Sequence, residues 1–258
     1  MRVSLVQLRV DDAEPREQRI DRAQALVAAE RGHADLVVLP ELWVDGPFAT
    51  AAAIAGAEPL DGPIVSAMAR LAGRAGVLLH AGSFAETNPR APDRPFNTSV
   101  LCTVDGHRLA RYRKLHLFGF DSGEAASFSA GAHPVSAGPW GLATCYDLRF
   151  PELFRDLVDR GALAFLVATG WPAARIEHWT ALARARAIED QAWFIGANSV
   201  GVNGGVLLGG RSLVVAPTGE VVAQAGASGE EVLRVEVDLA AAEQCREQFP
   251  VLRDRRSC

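Results

Sequence analysis

The sequence predicts an α/β protein in which two β-sheets lie face to face with helices on their outer sides. Three observations predict it. Short continuous aliphatic runs, such as Leu36-Val37-Val38-Leu39 and Leu163-Ala164-Phe165-Leu166-Val167, have the make-up of strands covered on both faces. Helical patterns follow several of these runs, so strand and helix alternate through the first and middle parts of the chain. Other strands, notably the hairpin over 97–112 and the 206–237 region, have no helix after them, and packing sheet against sheet covers them.

In chain order, Val3 to Leu8 reads as the first strand, and Pro15 to Glu30 as a helix with Ile20, Ala23, Leu26 and Val27 on one face and Gly32 as its stop. The Leu36 strand halts at Pro40-Glu41-Leu42-Trp43. Asp45 to Pro59 is rich in Ala and Gly with weak periodicity, which supports only a loose helical segment. Asp61-Gly62-Pro63 opens a helix through Arg74, because proline suits the first turn and Gly76 ends the run. Val77 to Phe84 is a strand, Glu86 to Pro95 a turn-rich loop, and Phe96 to Cys102 a strand that meets the hairpin signal Asp105-Gly106. His107 to Phe118 alternates apolar and basic residues, the pattern of a half-buried strand that delivers Lys114 into a loop.

Gly119 to Gly138 is a polar, glycine-bearing connection. It leads into Trp140-Gly141-Leu142-Ala143-Thr144, a buried strand that ends abruptly at Cys145 and turns through Pro151-Glu152 into a helix over Leu153 to Arg160. Past the Leu163 strand come Thr169-Gly170-Trp171-Pro172 and a long helix from Arg175 to Gln191, with Trp179, Leu182, Ala185 or Arg186, and Ile188 near one face. Phe194 to Ser199, Ser212 to Ala216 and Glu220 to Ala225 read as strands, the last two joined by Pro217-Thr218-Gly219. Glu231 to Val237 alternates cleanly, and a charged tail, Arg246 to Cys258, closes the chain.

Composition narrows the function. The 258 residues suffice for one large domain, expected over 1–258 with a C-terminal tail from about 239 to 258. Hydrophobic residues at 49% and charged residues at 22% are ordinary for a globular enzyme. A net charge of -5 argues against nucleic acid, whose phosphates need a clustered positive surface. Cys102, Cys145, Cys245 and Cys258 form no C-x-x-C pair, so neither a zinc knuckle nor a disulfide framework is suggested, and a reducing cytoplasm fits best. The amino terminus holds too short an apolar run for a signal peptide, and no stretch has the length of a membrane span, so no membrane partner is expected.

Three reactive residues stand at comparable places: Glu41 after one buried strand, Lys114 leaving a second, and Cys145 ending a third. In open α/β sheets chemistry gathers at strand ends. A thiol needs a base, a carboxylate in a desolvated pocket can take and return a proton near neutrality, and an ammonium can hold the oxyanion together with the N–H after the cysteine. That is a set of parts for acyl transfer. Taken singly, each has a plainer reading: Glu41 as a cap or ion pair, Lys114 on a solvated basic face, Cys145 as a small core residue.

Pro40-Glu41-Leu42, Tyr112-Arg113-Lys114-Leu115-His116-Leu117-Phe118 and Cys145-Tyr146-Asp147-Leu148-Arg149-Phe150-Pro151-Glu152 resemble the three signature blocks of the nitrilase superfamily of carbon–nitrogen hydrolases. The similarity runs nearly end to end and includes Gly170-Trp171-Pro172, Ala185 to Gln191, Asn198-Ser199-Val200-Gly201, Gly210-Arg211-Ser212 and Phe249-Pro250-Val251-Leu252. The resemblance implies a four-layer α-β-β-α sandwich that pairs through helices into a homodimer or higher homo-oligomer. It also implies a Glu-Lys-Cys triad with no metal or organic cofactor: Glu41 as general base and acid, Lys114 on the oxyanion, Cys145 as nucleophile. Many relatives carry a further glutamate in the loop after the lysine; Glu124 is the candidate here, with an exposed loop carboxylate as the competing reading.

Tyr146 and Leu148-Arg149-Phe150 are similar to the branch of omega-amidases and deaminated-glutathione amidases, which act on the terminal carboxamide of small carboxylate-bearing molecules. A guanidinium matches a carboxylate in a bidentate fork, and Arg149 is the candidate for that contact. An ion pair with Glu152 or another carboxylate is the competing reading. Phe118, Tyr146 and Trp171 are candidates for the pocket wall, against plain core. The same triad would also serve an N-carbamoyl hydrolase or a nitrilase. A silent binding or regulatory subunit is the reading from another class, and the presence of all three triad residues weighs against it.

Overall fold

The structure, a computed structural model, describes residues 1–119 and 123–256. Cys258 lies outside the described residues. In the first sheet β1 (Arg2–Gln7), β2 (Leu36–Val38) and β3 (Leu78–Glu86) run parallel, and β4 (Phe96–Cys102) and β5 (Arg108–Arg113) continue it antiparallel beyond β3. The second sheet repeats the plan. There β7 (Trp140–Thr144), β8 (Ala164–Ala168) and β9 (Trp193–Ala197) are parallel, β6 (Val135–Ala137) flanks β7, and β12 (Leu213–Val215) and β13 (Val221–Gln224) extend from β9, all three antiparallel to their neighbours. A separate hairpin pairs β10 (Val200–Asn203) with β11 (Val206–Gly209). Finally β14 (Glu231–Glu236) returns to the first sheet and pairs antiparallel with β1.

Period-two alternation sorts the layers. Val3, Leu5, Leu36 and Val38 join one core cluster with Leu142, Leu166 and Ile195 of the other sheet. Their neighbours Val6, Val37 and Leu39 point the opposite way, into a cluster with Val27 of α1 (Arg16–Ala29) and Met68 and Leu71 of α3 (Pro63–Ala75). Each fully buried aliphatic side chain of this kind contributes roughly 1.5–3 kcal/mol. Between those helices lies α2 (Thr50–Ala55), and α4 (Gly123–Ser127) follows β5. The second sheet is covered by α5 (Pro151–Asp159) and α6 (Ile176–Asp190), through Leu153, Leu157, Trp179, Ala183 and Ala187. The fold is therefore the α-β-β-α sandwich expected from the sequence.

Local chemistry explains the element ends. Pro63 starts α3, and Gly76, at φ 68°, ends it in the left-handed conformation that a residue without Cβ adopts freely. Gln191 ends α6 at φ 46°, and its side-chain amide donates to the Phe249 carbonyl at 2.6 Å. The last stretch opens as a helix, α7 (Ala240–Gln248), with Ala242 buried and Arg246 donating to the carbonyls of Ala162 (2.8 Å) and Gln191 (3.1 Å). On α6 the buried face is Trp179, Ala183, Arg186, Ala187 and Asp190, while Ile188 is 49% exposed, so the face expected to include Ile188 is rotated away from it. Among the described residues no helix is long and apolar enough to cross a membrane.

Candidate active site

Strand ends from both sheets meet at one cavity of about 130 Å³, with Glu41 following β2, Lys114 following β5 and Cys145 following β7. Glu41 and Lys114 are 2% and 1% exposed, so they meet only protein and whatever enters the cavity. Lys114 Nζ donates to Glu41 Oε1 at 2.7 Å and to Glu124 Oε2 at 2.6 Å. Asn97, on β4, bridges the same two acids from the other side, its Nδ2 donating to Glu41 Oε1 at 2.9 Å and to Glu124 Oε1 at 2.7 Å. Glu124 is buried and also accepts the Phe118 N–H at 2.9 Å, so it is no exposed loop carboxylate. The second oxygen of Glu41 accepts the Gly170 N–H at 3.0 Å. Glycine is required there: a Cβ would stand 2.4 Å from Pro47 Cγ.

Cys145 has φ 45°, a region costly for a residue with a Cβ, and it opens a short 3₁₀ turn over Cys145–Arg149. The surroundings hold it there. Thr144 and Asp147 cap the turn reciprocally, with the Thr144 N–H donating to Asp147 Oδ2 at 2.9 Å. The same buried carboxylate accepts Tyr112 Oη–H at 2.7 Å, the His116 N–H at 2.9 Å, and contacts His116 Nδ1 at 2.8 Å. Asp147 thus fastens the segment on both sides of Lys114 to the turn that presents Cys145.

Burial alone would lower the Lys114 pKa, but Glu124 and Glu41 outweigh it and raise it well above the ordinary value, so the group stays an ammonium. Glu124 is raised, first by burial and then by the Glu41 charge, against the pull of Lys114. The Cys145 thiol is pushed far up by burial and by the Glu41 carboxylate beside it, while Lys114 acts the other way. At rest the site therefore holds a thiol beside a carboxylate rather than a free thiolate, and attack by sulfur requires that the proton leave as the bond forms.

Phe118, Tyr146 and Trp171 line the cavity, with Tyr146 edge-on to Phe118 at 5.4 Å between ring centroids. Arg149 lines it as well, its Cζ 4.9 Å from the Trp171 ring centroid and 5.9 Å from that of Tyr146. Among the described residues no carboxylate pairs with Arg149; its guanidinium meets His178 Nδ1 at 3.4 Å. The structure brings together every residue singled out from the sequence. Asn97, Asp147 and Arg175 were missed. For Asn97 a signal existed, because Asn97-Thr98-Ser99 places three polar side chains in succession in a strand with almost no solvent face, and all three are 0% exposed.

The carbon–nitrogen hydrolase family model matches residues 2–247. A 2-oxoglutaramate amidase of Paenarthrobacter nicotinovorans is 40% identical over 264 residues, covering 99% of this chain and 89% of its own length. An omega-amidase of Xenopus laevis is 34% identical, covering 99% and 95%. Among solved structures, a carbon–nitrogen hydrolase superfamily protein of Xanthomonas campestris superposes with a TM-score of 0.90 at 32% identity, covering 100% of this chain and 98% of that one. The Saccharomyces cerevisiae member of branch 10 of the nitrilase superfamily superposes with a TM-score of 0.87 at 30% identity, covering 100% and 97%.

Proposed function

The chain belongs to the carbon–nitrogen hydrolase family, and we propose on that premise that it hydrolyses the terminal carboxamide of a short carboxylate-bearing amide through a thioester on Cys145. The observation that carries the proposal is Lys114 Nζ held 2.7 and 2.6 Å from two buried carboxylates at the floor of the cavity that Cys145 lines. A surface lysine has no reason to be so enclosed.

Glu41 takes the thiol proton as Sγ bonds to the carboxamide carbon, and the carbonyl oxygen becomes an oxyanion. Lys114 stabilises that charge, aided by the Tyr146 N–H, which lies in the first positions of the 3₁₀ turn where backbone donors have no partner within the turn. Glu41 returns its proton to the leaving nitrogen, the C–N bond breaks and ammonia departs. Water then attacks the thioester, giving its proton to Glu41; Glu41 returns that proton to Sγ as the C–S bond breaks, the acid leaves, and the thiol is restored. Glu124 and Asn97 fix where the ammonium and the base stand, and Arg149 meets the substrate carboxylate across the Trp171 face. The names of the relatives favour a 2-oxo acid amide of the 2-oxoglutaramate type. Residence in the cytoplasm and pairing into a homodimer belong to the same proposal, the latter checked by light scattering on the purified protein.

Ammonia release is the test, from a panel of 2-oxoglutaramate, 2-oxosuccinamate, deaminated glutathione, N-carbamoyl amino acids and simple nitriles, beside the Cys145→Ala protein. Turnover of oxo-acid amides that disappears in the variant is expected. Carbamoyl turnover would move the substrate to that class with the triad kept, and equal activity in both proteins would remove Cys145 as nucleophile.

A further inference from the structure

Among the described residues, the cavity carries one cation that this reaction scheme leaves unused. Arg175 lines it together with Arg149, and one ring joins the two residues: Arg149 stacks at 4.9 Å over Trp171, and Trp171 Nε1 donates to the Arg175 carbonyl at 2.8 Å. The Arg175 N–H donates in turn to the Pro172 carbonyl at 3.1 Å, so the side chain projects from a backbone fixed twice at the cavity edge. The acid closest along the chain, Glu177, is taken by Arg211 at 2.8 Å. Among the described residues, neither Arg149 nor Arg175 has a carboxylate within ion-pairing distance.

Among the described residues, the other charged ones around the cavity are Glu41, Lys114 and Glu124, which engage one another at its floor. With two carboxylates and one ammonium the floor repels an anion, whereas the two guanidinium groups attract one. An amide that is anionic at its far end is therefore oriented as well as bound: carboxamide to the floor, carboxylate to the arginines. The wall between is aromatic and gives a neutral amide no such orientation.

We infer that Arg175 is a second contact for the substrate carboxylate, so that Arg149 and Arg175 together select amides with an anionic far end. This rests on the amidase reading above and adds to it the residue that enforces the selection. Two forks can each give a charge-assisted hydrogen bond to one carboxylate. Because Arg175 is exposed, solvent and salt screen its contact, and about five- to tenfold in affinity is expected from it.

The experiment uses the full-length Cys145→Ala protein, which holds an amide without consuming it, and measures calorimetric binding of 2-oxoglutaramate and of uncharged pentanamide. Arg175→Gln in this background is expected to weaken the anionic amide roughly five- to tenfold, at least fivefold more than the neutral one, and to flatten the dependence on salt; Arg175→Lys recovers part of the loss. An equal loss on both amides, an unchanged affinity for the anionic one, or no measurable binding of it with both arginines present would overturn the inference. The amidase reading fails separately: arginine-dependent binding with no ammonia released by the Cys145-containing protein would refute that reading and leave this inference standing.

Discussion

Lys114 holds together two carboxylates that would otherwise repel each other in a buried space. Replacing it with Met leaves both acids without their counter-ion, and a loss of about 3–5 kcal/mol in stability is expected, read by denaturant unfolding. Adding Glu124→Gln to Lys114→Met restores part of that stability but none of the activity, which separates the structural from the proposed chemical role. Asn97 acts on the same pair, and Asn97→Ala is expected to lower kcat by roughly ten- to a hundredfold with a small change in KM, because Glu41 and Glu124 lose a shared donor while the arginines are untouched. A rise in KM at constant kcat would instead make Asn97 part of the binding surface. Glu41, Lys114 and Cys145 were legible in the sequence because the three blocks that carry them together resemble the signatures of one family; singly, each has a plainer reading, and β5, which leads to Lys114, is largely exposed. Arg175 was not, since an arginine ahead of a helix looks like any surface arginine until Trp171 and Arg149 are seen beside it.

At the scale of elements, the turn after β7 and the loop after β5 act as one piece because Asp147 joins them. Asp147→Asn removes an acceptor from a set of donors that converge on it, and kcat is expected to fall at least about tenfold; Tyr112→Phe, which deletes one contact, costs less. Equal effects of the two would argue that the bracket has no special hold on the Cys145 turn. On β3, His80 is fully buried, among the described residues neither of its ring nitrogens has a hydrogen-bond partner, and burial lowers its pKa to about 4. The unfolded chain takes up that proton near pH 6.5 and the folded chain only near 4, so stability present above 6.5 is lost as the pH falls between them. His80→Leu is expected to flatten this decline by up to about 3 kcal/mol, measured as unfolding free energy at pH 7 and pH 4.5. The hairpin of β10 and β11 was less legible than the parallel strands, because Leu207 is 59% exposed and Gly204-Gly205 breaks the pattern.

For the whole molecule, the sandwich was readable because aliphatic runs too short for helices need cover on both faces, and too few helices follow them to supply it. What stayed hidden were elements with little local signal: α7, which opens on three alanines, and the three-residue β6. The site itself is a product of the two-sheet plan, since Glu41 and Lys114 come from one sheet and Cys145 from the other. Shifting the sheets against each other would separate the proposed base from the proposed nucleophile, so activity is expected to vanish with tertiary structure on heating, before secondary structure is lost. The proposed thioester on Cys145 is tested by acid-quenched mass spectrometry of the protein mixed with 2-oxoglutaramate. A transient mass increase equal to the amide minus ammonia is expected, confined to the peptide containing Cys145 and absent from Cys145→Ala. Turnover with no such adduct, or an adduct on another residue, would contradict the thioester.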